Sequence, residues 1–422
     1  MENENVKFLI LGAGVSGISA AGFLGKEEDY LVLEKSDEIG GYCKTIKKDG
    51  FTWDYSGHFF HFRNDEIKSL VMKNIDEKRL LSVQKKTGIV YRDNIISFPF
   101  QRNIHELSKT EFIECLHDYY FRIEKKEYVN FLDWIYGVLG TSIVDKFVKP
   151  YNEKLYATSL EKLDVNAMGR FFPTVTLEEI IKASREANDI SYNKNFLYPI
   201  DGAITYVNSL MSNVDGKKVI LKKEAIEIDI ERKIVKTNNS TYKYDTLISS
   251  IPLNNLLRIS KQEFDESLYL SNQVVVFNLG FDKASLVNHH WLYIPQPDIC
   301  FYRIGFYDNI LNEDRASLYV EIGMKSNEKF DQAILLEQVL KDLRYLGLIS
   351  DHVLLSKSIV VMNPAYIHLS EQSITDAKEK LSMLESKDVY SIGRYGEWTY
   401  CSIEDNILSA QECIRKVTCA TT

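Results

Sequence analysis

The apolar positions at the start of the chain form two short runs separated by a stretch of small residues. Residues 8–11 read FLIL, which predicts a buried strand, and the small-residue segment 15–25 predicts a helix that packs closely against it. A second apolar run at residues 31–33, LVL, predicts the next strand. Residues 8–25 carry no charge, but their glycines and the acidic stretch before them argue against a membrane span or a signal peptide. The pattern therefore indicates a strand–helix–strand unit.

The period of the apolar positions changes several times farther along the chain. Residues 86–100 alternate as strands do, whereas apolar residues recur at helical spacing from about 104 to 190. Strand patterns return after residue 217 and again from 272, and a final strand and helix follow residue 388. This order predicts an α/β protein with three modules. We expect a discontinuous Rossmann-like domain (1–85, 196–260 and 385–422), an inserted helical domain (104–195) and an antiparallel β-sheet substrate domain (86–103 and 261–384).

A glycine-rich turn joins the first predicted strand to the first predicted helix. Gly12, Gly14 and Gly17 follow the G-x-G-x-x-G spacing, and Glu34 closes the next strand. The first glycine permits a tight turn, the second lets the backbone approach a pyrophosphate, and the third lets the helix pack close to the strand. The free N–H groups of the helix then face the phosphates, and Glu34 lies where an acid accepts from a ribose hydroxyl. The sequence therefore predicts a dinucleotide site here, in preference to a turn that binds no ligand.

Composition and charge narrow the function classes. The 422 residues carry a formal charge of −9, which gives no indication of nucleic-acid binding. The six cysteines include no C-x-x-C and the eight histidines include no H-E-x-x-H, so we expect no metal site and no disulfide framework. A reducing, cytoplasmic location fits this cysteine usage. No other long apolar run occurs, so we expect no membrane insertion.

Several segments after Glu34 match motifs of one flavoprotein family. Residues 36–45 read SDEIGGYCKT, which resembles the second flavin motif of the amine-oxidase-like FAD superfamily, where Gly40 and Gly41 would let the loop pass close to the cofactor. Later segments resemble motifs of UDP-galactopyranose mutases. In order, these are residues 50–58 (G-F-x-W-D-x-G-G-H), 98–104 (Y-P-F-Q-x-N-I), 149–154 (R-P-Y-N-x-K), 291–303 (W-L-Y-F-P and F-Y-R), 364–366 and 393–400. The resemblance extends over nearly the whole chain.

This resemblance implies an isomerase, a flavin-dependent mutase that interconverts the pyranose and furanose forms of a nucleoside-diphosphate sugar. UDP-galactose or a relative such as dTDP-fucose would be the substrate, within polysaccharide biosynthesis such as that of O-antigen. In this family, reduced FAD forms a covalent adduct with the sugar through flavin N5, and no net redox change occurs. NAD(P)H is the expected reductant, although the sequence has no visible second dinucleotide site. The resemblance also implies a homodimer through the helical module, as in bacterial members of the family.

The resemblance also implies which residues contact the cofactor. His58 would lie beside flavin N5, where it stabilises the reduced flavin and assists proton transfer. Arg394, after Gly393, would neutralise the FAD pyrophosphate. Asp405 and Asn406 would begin a helix whose N-terminus faces the ribityl chain or the phosphates. For the adenine we expect contact with one of two neighbours, Ala225 or Ile226, and we place it at Ile226.

The substrate residues follow from the same motifs. Arg170 and Arg303 would clamp the leaving diphosphate, since a guanidinium can bond phosphate oxygens in pairs and stays charged. Phe100 would stack on the pyrimidine and Gln101 would read its edge. The remaining expected contacts are Asn152, Tyr156, Trp291, Tyr293, Tyr366 and Tyr400.

The chain departs from the family pattern at four of these positions. Phe98 replaces a tyrosine, Tyr156 a tryptophan beside the sugar, and Ser56 a glycine at the flavin. Glu404 stands where some members have asparagine near the diphosphate, and a carboxylate there would repel phosphate unless it is paired or turned away. These departures keep a 6-deoxy or otherwise modified sugar open as the substrate.

Two alternatives to the mutase stay open at this point. The FAD motifs alone fit a true oxidoreductase of the amine-oxidase or desaturase type equally well, although the two expected arginines argue against a wholly apolar substrate pocket. A noncatalytic FAD-fold protein that binds a nucleotide sugar or a partner chain is the third hypothesis.

Overall fold

The computed structural model describes residues 3–185 and 195–419. Its strands are β1 (Asn3–Leu11), β2 (Tyr30–Leu33), β3 (Thr45–Lys48), β4 (Phe51–Asp54), β5 (Leu80–Gln84), β6 (Thr87–Tyr91), β7 (Asn94–Ser97), β8 (Asn195–Pro199), β9 (Val219–Ile220), β10 (Ala225–Asp229), β11 (Ile234–Thr237), β12 (Thr241–Ser249), β13 (Asn272–Phe281), β14 (Trp291–Tyr293), β15 (Arg303–Phe306), β16 (Ser317–Lys325), β17 (Leu354–Met362) and β18 (Val389–Ser391). Its helices are α1 (Val15–Leu24), α2 (Asp65–Met72), α3 (Lys109–Tyr120), α4 (Phe131–Leu139), α5 (Thr141–Ile143), α6 (Lys149–Tyr156), α7 (Leu177–Arg185), α8 (Ile204–Met211), α9 (Leu253–Ile259), α10 (Tyr307–Leu311), α11 (Gln332–Tyr345), α12 (Glu371–Glu385), α13 (Gly393–Gly396) and α14 (Ile403–Cys419).

The first sheet collects strands from distant parts of the sequence. Its order is β10-β11-β12-β1-β2-β9, and β18 also pairs with β12. β1 runs parallel to both β12 and β2, and it is buried from Phe8 to Leu11 because helices cover both faces of a parallel sheet. The small residues of α1 let this helix pack closely against α14 and α8. The glycine turn between β1 and α1 therefore lies at the carboxyl end of a central strand, where nucleotide sites form in such sheets.

The second sheet has the order β17-β13-β16-β15-β14-β6-β7. Its pairings are antiparallel except for β14 with β6, which run parallel. All ten residues of β13 are buried, so this strand forms the centre of the module. The fold class predicted from the sequence, a Rossmann-like α/β fold with a helical part and an antiparallel sheet, is confirmed. The domain boundaries stay a prediction.

The helices between residues 104 and 185 form the third module. Ser108 caps α3 and Asn130 caps α4, so both helices begin where a side-chain oxygen satisfies a free backbone N–H. A π-helical turn, Val144–Val148, joins α5 to α6. Lys154 on α6 donates to three backbone carbonyls of the segment that precedes β15, those of Ile294, Gln296 and Phe301. This lysine fastens the helical module to the second sheet. No helix of the described ranges is long and apolar enough to span a bilayer.

Candidate active site

The glycine turn has the close contacts that a phosphate cradle needs. Gly12 has φ +94°, which favours glycine, and a Cβ on Gly17 would lie 1.9 Å from the carbonyl oxygen of Gly12. A Cβ on Gly41 would lie 3.2 Å from the Cα of Gly14, so the second glycine pair passes close to the turn. Gly40 also has a positive φ, of +112°. All of these positions except Gly17 line one cavity of about 430 Å³.

Glu34 marks one end of this cavity. Its side chain is buried, and its two oxygens accept from the backbone N–H groups of Ala13 (2.7 Å) and Ser36 (2.8 Å). These bonds hold the carboxylate at the end of β2, and a carboxylate keeps further lone pairs for ribose hydroxyls. Ala225 also lines the cavity, whereas the side chain of Ile226 is 53% exposed and is absent from its lining. Of the two adenine candidates, the geometry favours Ala225.

His58 lies in the cavity wall at the side of the second sheet. Its Nδ1 is buried and has no hydrogen-bond partner among the described residues. Burial, with the charges of Arg303 and Arg394, lowers the pKa of His58 to about 4, although the charge of Glu321 opposes this shift. The imidazole is therefore neutral at pH 7. It can accept or donate one hydrogen bond, but it is not a ready source of protons.

Arg394 lies between the cavity and a group of tyrosines. Its backbone N–H donates to Asn406 Oδ1 (2.8 Å), and its guanidinium lies 4.6 Å from the ring centroid of Tyr400 and 5.4 Å from that of Tyr366. Gly393 has φ +77°, and a Cβ there would lie 2.1 Å from Ser16 Oγ, so the backbone passes close to α1. Arg394 and Asn406 line the cavity, and α14 begins beside it at Ile403.

Arg303 is the second arginine of this region and is held by a buried acid. Arg303 and Glu321 face each other across β15 and β16, and Arg303 Nη2 donates to Glu321 Oε1 at 2.5 Å. Ser56 Oγ donates to the same carboxylate oxygen and accepts from Arg303 Nη2 at 3.2 Å. We call these three residues the Arg303 cluster. Burial alone would raise the pKa of the Glu321 carboxyl, but the charge and hydrogen bond of Arg303 and the bond from Ser56 hold that pKa below its ordinary value.

Three of the predicted tyrosines lie around the two arginines. Tyr366 and Tyr400 stack with ring centroids 6.2 Å apart, and Tyr293 accepts from Trp291 Nε1 at 3.0 Å. The charge of Arg303 acts to lower the pKa of all three phenols. Burial is the main cause that raises the pKa of each hydroxyl, so all three are neutral donors at pH 7. The fold therefore brings together two cations and several neutral hydroxyls beside His58.

Arg170 lies elsewhere in the site. It is on the turn Gly169–Phe171, its side chain is 47% exposed, and Nη2 donates to Asp405 Oδ2 at 2.5 Å. The ring of Phe171 contacts that of Tyr400 edge-on, at 5.3 Å, so Arg170 lies near the tyrosines without joining the Arg303 cluster. Asp405 also accepts from Ser402 and Arg63, and it does not line the cavity.

The two residues expected to contact the nucleotide base lie deeper than the resemblance implies. Phe100 is fully buried and stacks on Phe147 (5.2 Å), so no face of its ring is open to a base. Gln101 is also buried, and its Nε2 donates to the carbonyl of Pro173. Phe98, in contrast, stacks on Tyr293 at 4.8 Å and is partly exposed.

Two residues one turn apart on α6, Asn152 and Tyr156, are buried beside these groups. Asn152 Nδ2 donates to the carbonyl of Val148 (2.7 Å), whereas its Oδ1 has no partner in the described chain. The Tyr156 hydroxyl likewise lacks a partner there, and its ring contacts that of Tyr366 at 5.7 Å. α6 therefore places unsatisfied polar atoms close to the tyrosines.

Glu404, whose charge would repel a phosphate, is turned away and paired. Its carboxylate is 2% exposed and accepts from the backbone N–H groups of Arg63 and Asn64, both at 2.8 Å. Glu404 does not line the cavity, and its charge is held by these backbone donors.

None of the sequence motifs points to Glu321, which belongs to the site. The carboxylate lies in β16, whose first six residues are all buried. A single acid in such an apolar strand is the one sequence signal that could have indicated a buried ion pair. Ser56 was noted only as a departure from a motif, and its two side-chain contacts are visible only in the fold.

Comparisons with known proteins bear on the fold that holds this site. The family model of the NAD(P)-binding Rossmann-like domain matches residues 10–73. Coproporphyrinogen III oxidase of Staphylococcus aureus (strain NCTC 8325 / PS 47) is 21% identical over 324 residues, which cover 67% of this chain and 68% of that protein. Among curated proteins, a 4,4'-diapophytoene desaturase of S. aureus (strain Newman) is 38% identical, but over only 50 residues, 12% of this chain and 10% of that protein.

Solved structures are similar over the whole chain. A putative protoporphyrinogen oxidase from Exiguobacterium sp. 255-15 has a TM-score of 0.77 at 15% identity and full coverage of both chains. A reduced UDP-galactopyranose mutase has a TM-score of 0.91 at 24% identity, with 98% of this chain and 94% of that chain covered. The resemblance predicted from the motifs is thus confirmed for the fold: the chain has the fold of UDP-galactopyranose mutase, built on a Rossmann-like dinucleotide-binding domain.

Proposed function

We propose that the protein binds FAD and, with the flavin reduced, interconverts the pyranose and furanose forms of a nucleoside-diphosphate sugar. The observation that carries this proposal is the position of the two arginines. Arg394 lines the dinucleotide cavity together with His58, and Arg303 is hydrogen-bonded to Ser56, two residues before His58. A cavity for a dinucleotide thus adjoins a cationic, hydroxyl-rich region. Such a region suits an anionic leaving group better than an apolar or amine substrate.

The residues around the cavity fit FAD. The glycines at positions 12, 14 and 41 leave backbone exposed to a pyrophosphate, and Glu34 is fixed where a ribose would lie. The buried, unpaired Nδ1 of His58 offers a partner to a polar ring edge. When bound and reduced, the flavin would supply a nucleophilic nitrogen for the anomeric carbon of the sugar. Neutral His58 would orient this ring rather than protonate it.

The arginines and tyrosines would hold the nucleoside diphosphate while the sugar rearranges. Before any substrate binds, the charge of Arg303 is balanced by Glu321, and the Arg394 guanidinium lies over the rings of Tyr366 and Tyr400. Phenol donors add hydrogen bonds without a further charge to desolvate. Keeping the diphosphate in place maintains a high effective concentration for its return to the sugar. Arg170, Asn152 and Tyr156 stay proposed contacts of this substrate, whereas Phe100 and Gln101 are buried in this structure.

The direct test is turnover by the FAD-loaded protein. We expect the dithionite-reduced holoenzyme to convert UDP-galactose or dTDP-fucose to its furanose form, separated by chromatography, and the oxidised enzyme to be inactive. Arg303→Ala should lose this activity, while Arg258→Ala, which removes an exposed arginine paired with Glu266, should keep it. No furanose product from a panel of nucleotide sugars would exclude the mutase. Anaerobic titration with NADH and NADPH would identify the reductant.

A flavin oxidase is the second candidate, because the curated relatives at 21% identity include an oxidase. It predicts that an amine or porphyrinogen reduces the bound flavin and that oxygen is consumed. Stopped-flow reduction of the oxidised holoenzyme by such compounds would support this candidate, and inertness to them would remove it. A homodimer also stays a proposal, and light scattering on the purified protein would test it.

A further inference from the structure

The hydroxyl of Ser56 makes two contacts that a glycine cannot make. It donates to Glu321 Oε1 and accepts from Arg303 Nη2 at 3.2 Å. Glu321 is fully buried and Ser56 is 5% exposed, so water does not compete for these bonds. Hydrogen bonds to charged groups are stronger than neutral ones, by roughly a factor of two.

The backbone of Ser56 is itself fixed from two sides. Its carbonyl accepts from the backbone N–H of His58 at 2.7 Å and from the Tyr307 hydroxyl at 3.3 Å. The hydroxyl is therefore held on a rigid turn. The turn also joins the wall of the dinucleotide cavity to the second sheet.

The contacts of Arg303 show why this hydroxyl matters for orientation. Both recorded hydrogen bonds of the guanidinium use Nη2, and Nε is buried without a partner in the described part of the chain. With Glu321 alone, one bond would hold a planar group that can pivot about it. With Ser56 as a second partner of the same nitrogen, the plane of the guanidinium is set.

We propose that Ser56 is a positioning residue, whose hydroxyl fixes the Arg303 guanidinium in the orientation that receives the diphosphate. This inference rests on the proposed function, since it assigns Arg303 to a nucleoside diphosphate. The side chain of Ser56 does not line the dinucleotide cavity, and its hydroxyl is bonded to Glu321 and Arg303. It acts through Arg303, and its effect therefore falls on nucleotide affinity.

The test measures UDP and dTDP binding to the oxidised, FAD-loaded protein by isothermal titration calorimetry. Ser56→Ala should weaken binding by about tenfold, the equivalent of one charge-assisted hydrogen bond. Ser56→Thr keeps the hydroxyl and should restore most of the affinity. The matched control is Ser317→Ala on β16, which removes a fully buried hydroxyl that has no partner among the described residues, and it should bind like the wild type.

Two further readouts separate positioning from a general structural role. FAD content should be the same in Ser56→Ala as in the Ser317→Ala control, and KM should rise while kcat changes less than threefold. The melting temperature of Ser56→Ala should fall somewhat below that of the control, because Glu321 loses a buried donor. Affinity in Ser56→Ala within twofold of the wild type overturns the inference, as does a loss that Ser56→Thr, folded and FAD-loaded, fails to repair. If the wild type binds neither nucleotide and produces no furanose, the proposed function itself fails, and that result is distinct from both.

Discussion

Arg303 and Arg170 are the two arginines that the motif resemblance assigns to one diphosphate, and the fold holds them in opposite ways. Arg303 is on a strand, its side chain is 18% exposed, and its counter-ion Glu321 is fully buried on the adjacent strand. Arg170 is on a short turn, is 47% exposed, and pairs with Asp405, which comes from α14. The first arginine is positioned before any ligand arrives, whereas the second is a surface group that already has a partner. The same residue type, arginine, is therefore held in a fixed position by a buried partner in one region. In the other region it has an exposed partner that a ligand could replace.

Breaking the Arg303 pair should give the largest effect. Arg303→Met leaves Glu321 buried without its cation, so we expect the free energy of unfolding to fall by about 3–5 kcal/mol. Arg170→Met should cost less than about 1 kcal/mol, because an exposed pair is screened by water. Urea denaturation of both FAD-loaded variants measures the difference. Equal losses would mean that the two regions are not held differently.

Removing both charges sharpens the same point. The double variant Arg303→Met/Glu321→Leu removes the buried carboxylate together with its partner, and we expect it to regain about 1–3 kcal/mol of the stability that the single variant loses. Nucleotide affinity should not return, since no guanidinium is present. If the double variant is as unstable as the single one, the cost lies in packing and not in an uncompensated charge.

How far these regions could be predicted from the sequence depends on the range of the contacts. The glycine turn was predictable because Gly12, Gly14 and Gly17 interact within one local unit whose geometry the spacing dictates. The partners of the arginines could not be predicted in this way, because Asp405 lies 235 positions from Arg170 and Ser56 lies 247 positions from Arg303 in the sequence. Such pairs depend on tertiary packing, which no local pattern encodes.

The position expected for the adenine contact shows how a one-residue shift changes a strand prediction. The sequence offered Ala225 and Ile226 as neighbours, and the prediction placed the contact at Ile226. Successive side chains of a strand point to opposite faces, so only one of the two can face the cavity. Ala225 lines it, and the Ile226 side chain is on the outside. The segment of the cavity wall could thus be predicted to within one residue. Which side chain of that strand faces the cavity could be read only from the three-dimensional structure.

The buried imidazole of His58 in the cavity wall can be tested through the dependence of stability on pH. Its pKa is about 4 in the folded protein, against an ordinary value near 6.5, so the unfolded chain binds more protons between these pH values. Its contribution to stability is therefore complete above pH 6.5 and is lost as the pH falls toward 4, with a slope of at most about 1.4 kcal/mol per pH unit. His58→Gln should remove that slope. His290→Gln, at a residue whose pKa burial also lowers to about 4, should remove a second and independent one.

Unfolding curves of both variants between pH 4 and 8 provide the measurement. A His58→Gln profile with the wild-type slope would mean that the imidazole takes up its proton in the folded state. It would then be available as an acid in the site, contrary to the orienting role proposed for it.

Asp405→Asn should give the smallest effect and decides whether Arg170 is available to a ligand. The substitution removes the charge that holds the Arg170 guanidinium on α14, and we expect unfolding free energy to change by less than about 1 kcal/mol because the pair is partly exposed. If Arg170 contributes to the diphosphate clamp, it must leave Asp405 to do so, and the variant should bind UDP up to about threefold more tightly at low salt. Added salt should reduce this gain, since screening weakens long-range attraction between an exposed cation and an anion. Binding that is unchanged at every salt concentration would show that Arg170 does not contact the diphosphate and only pairs with Asp405 at the surface. Arg303 and Arg394 would then be the cations that bind the diphosphate. The two regions would differ in function as well as in burial.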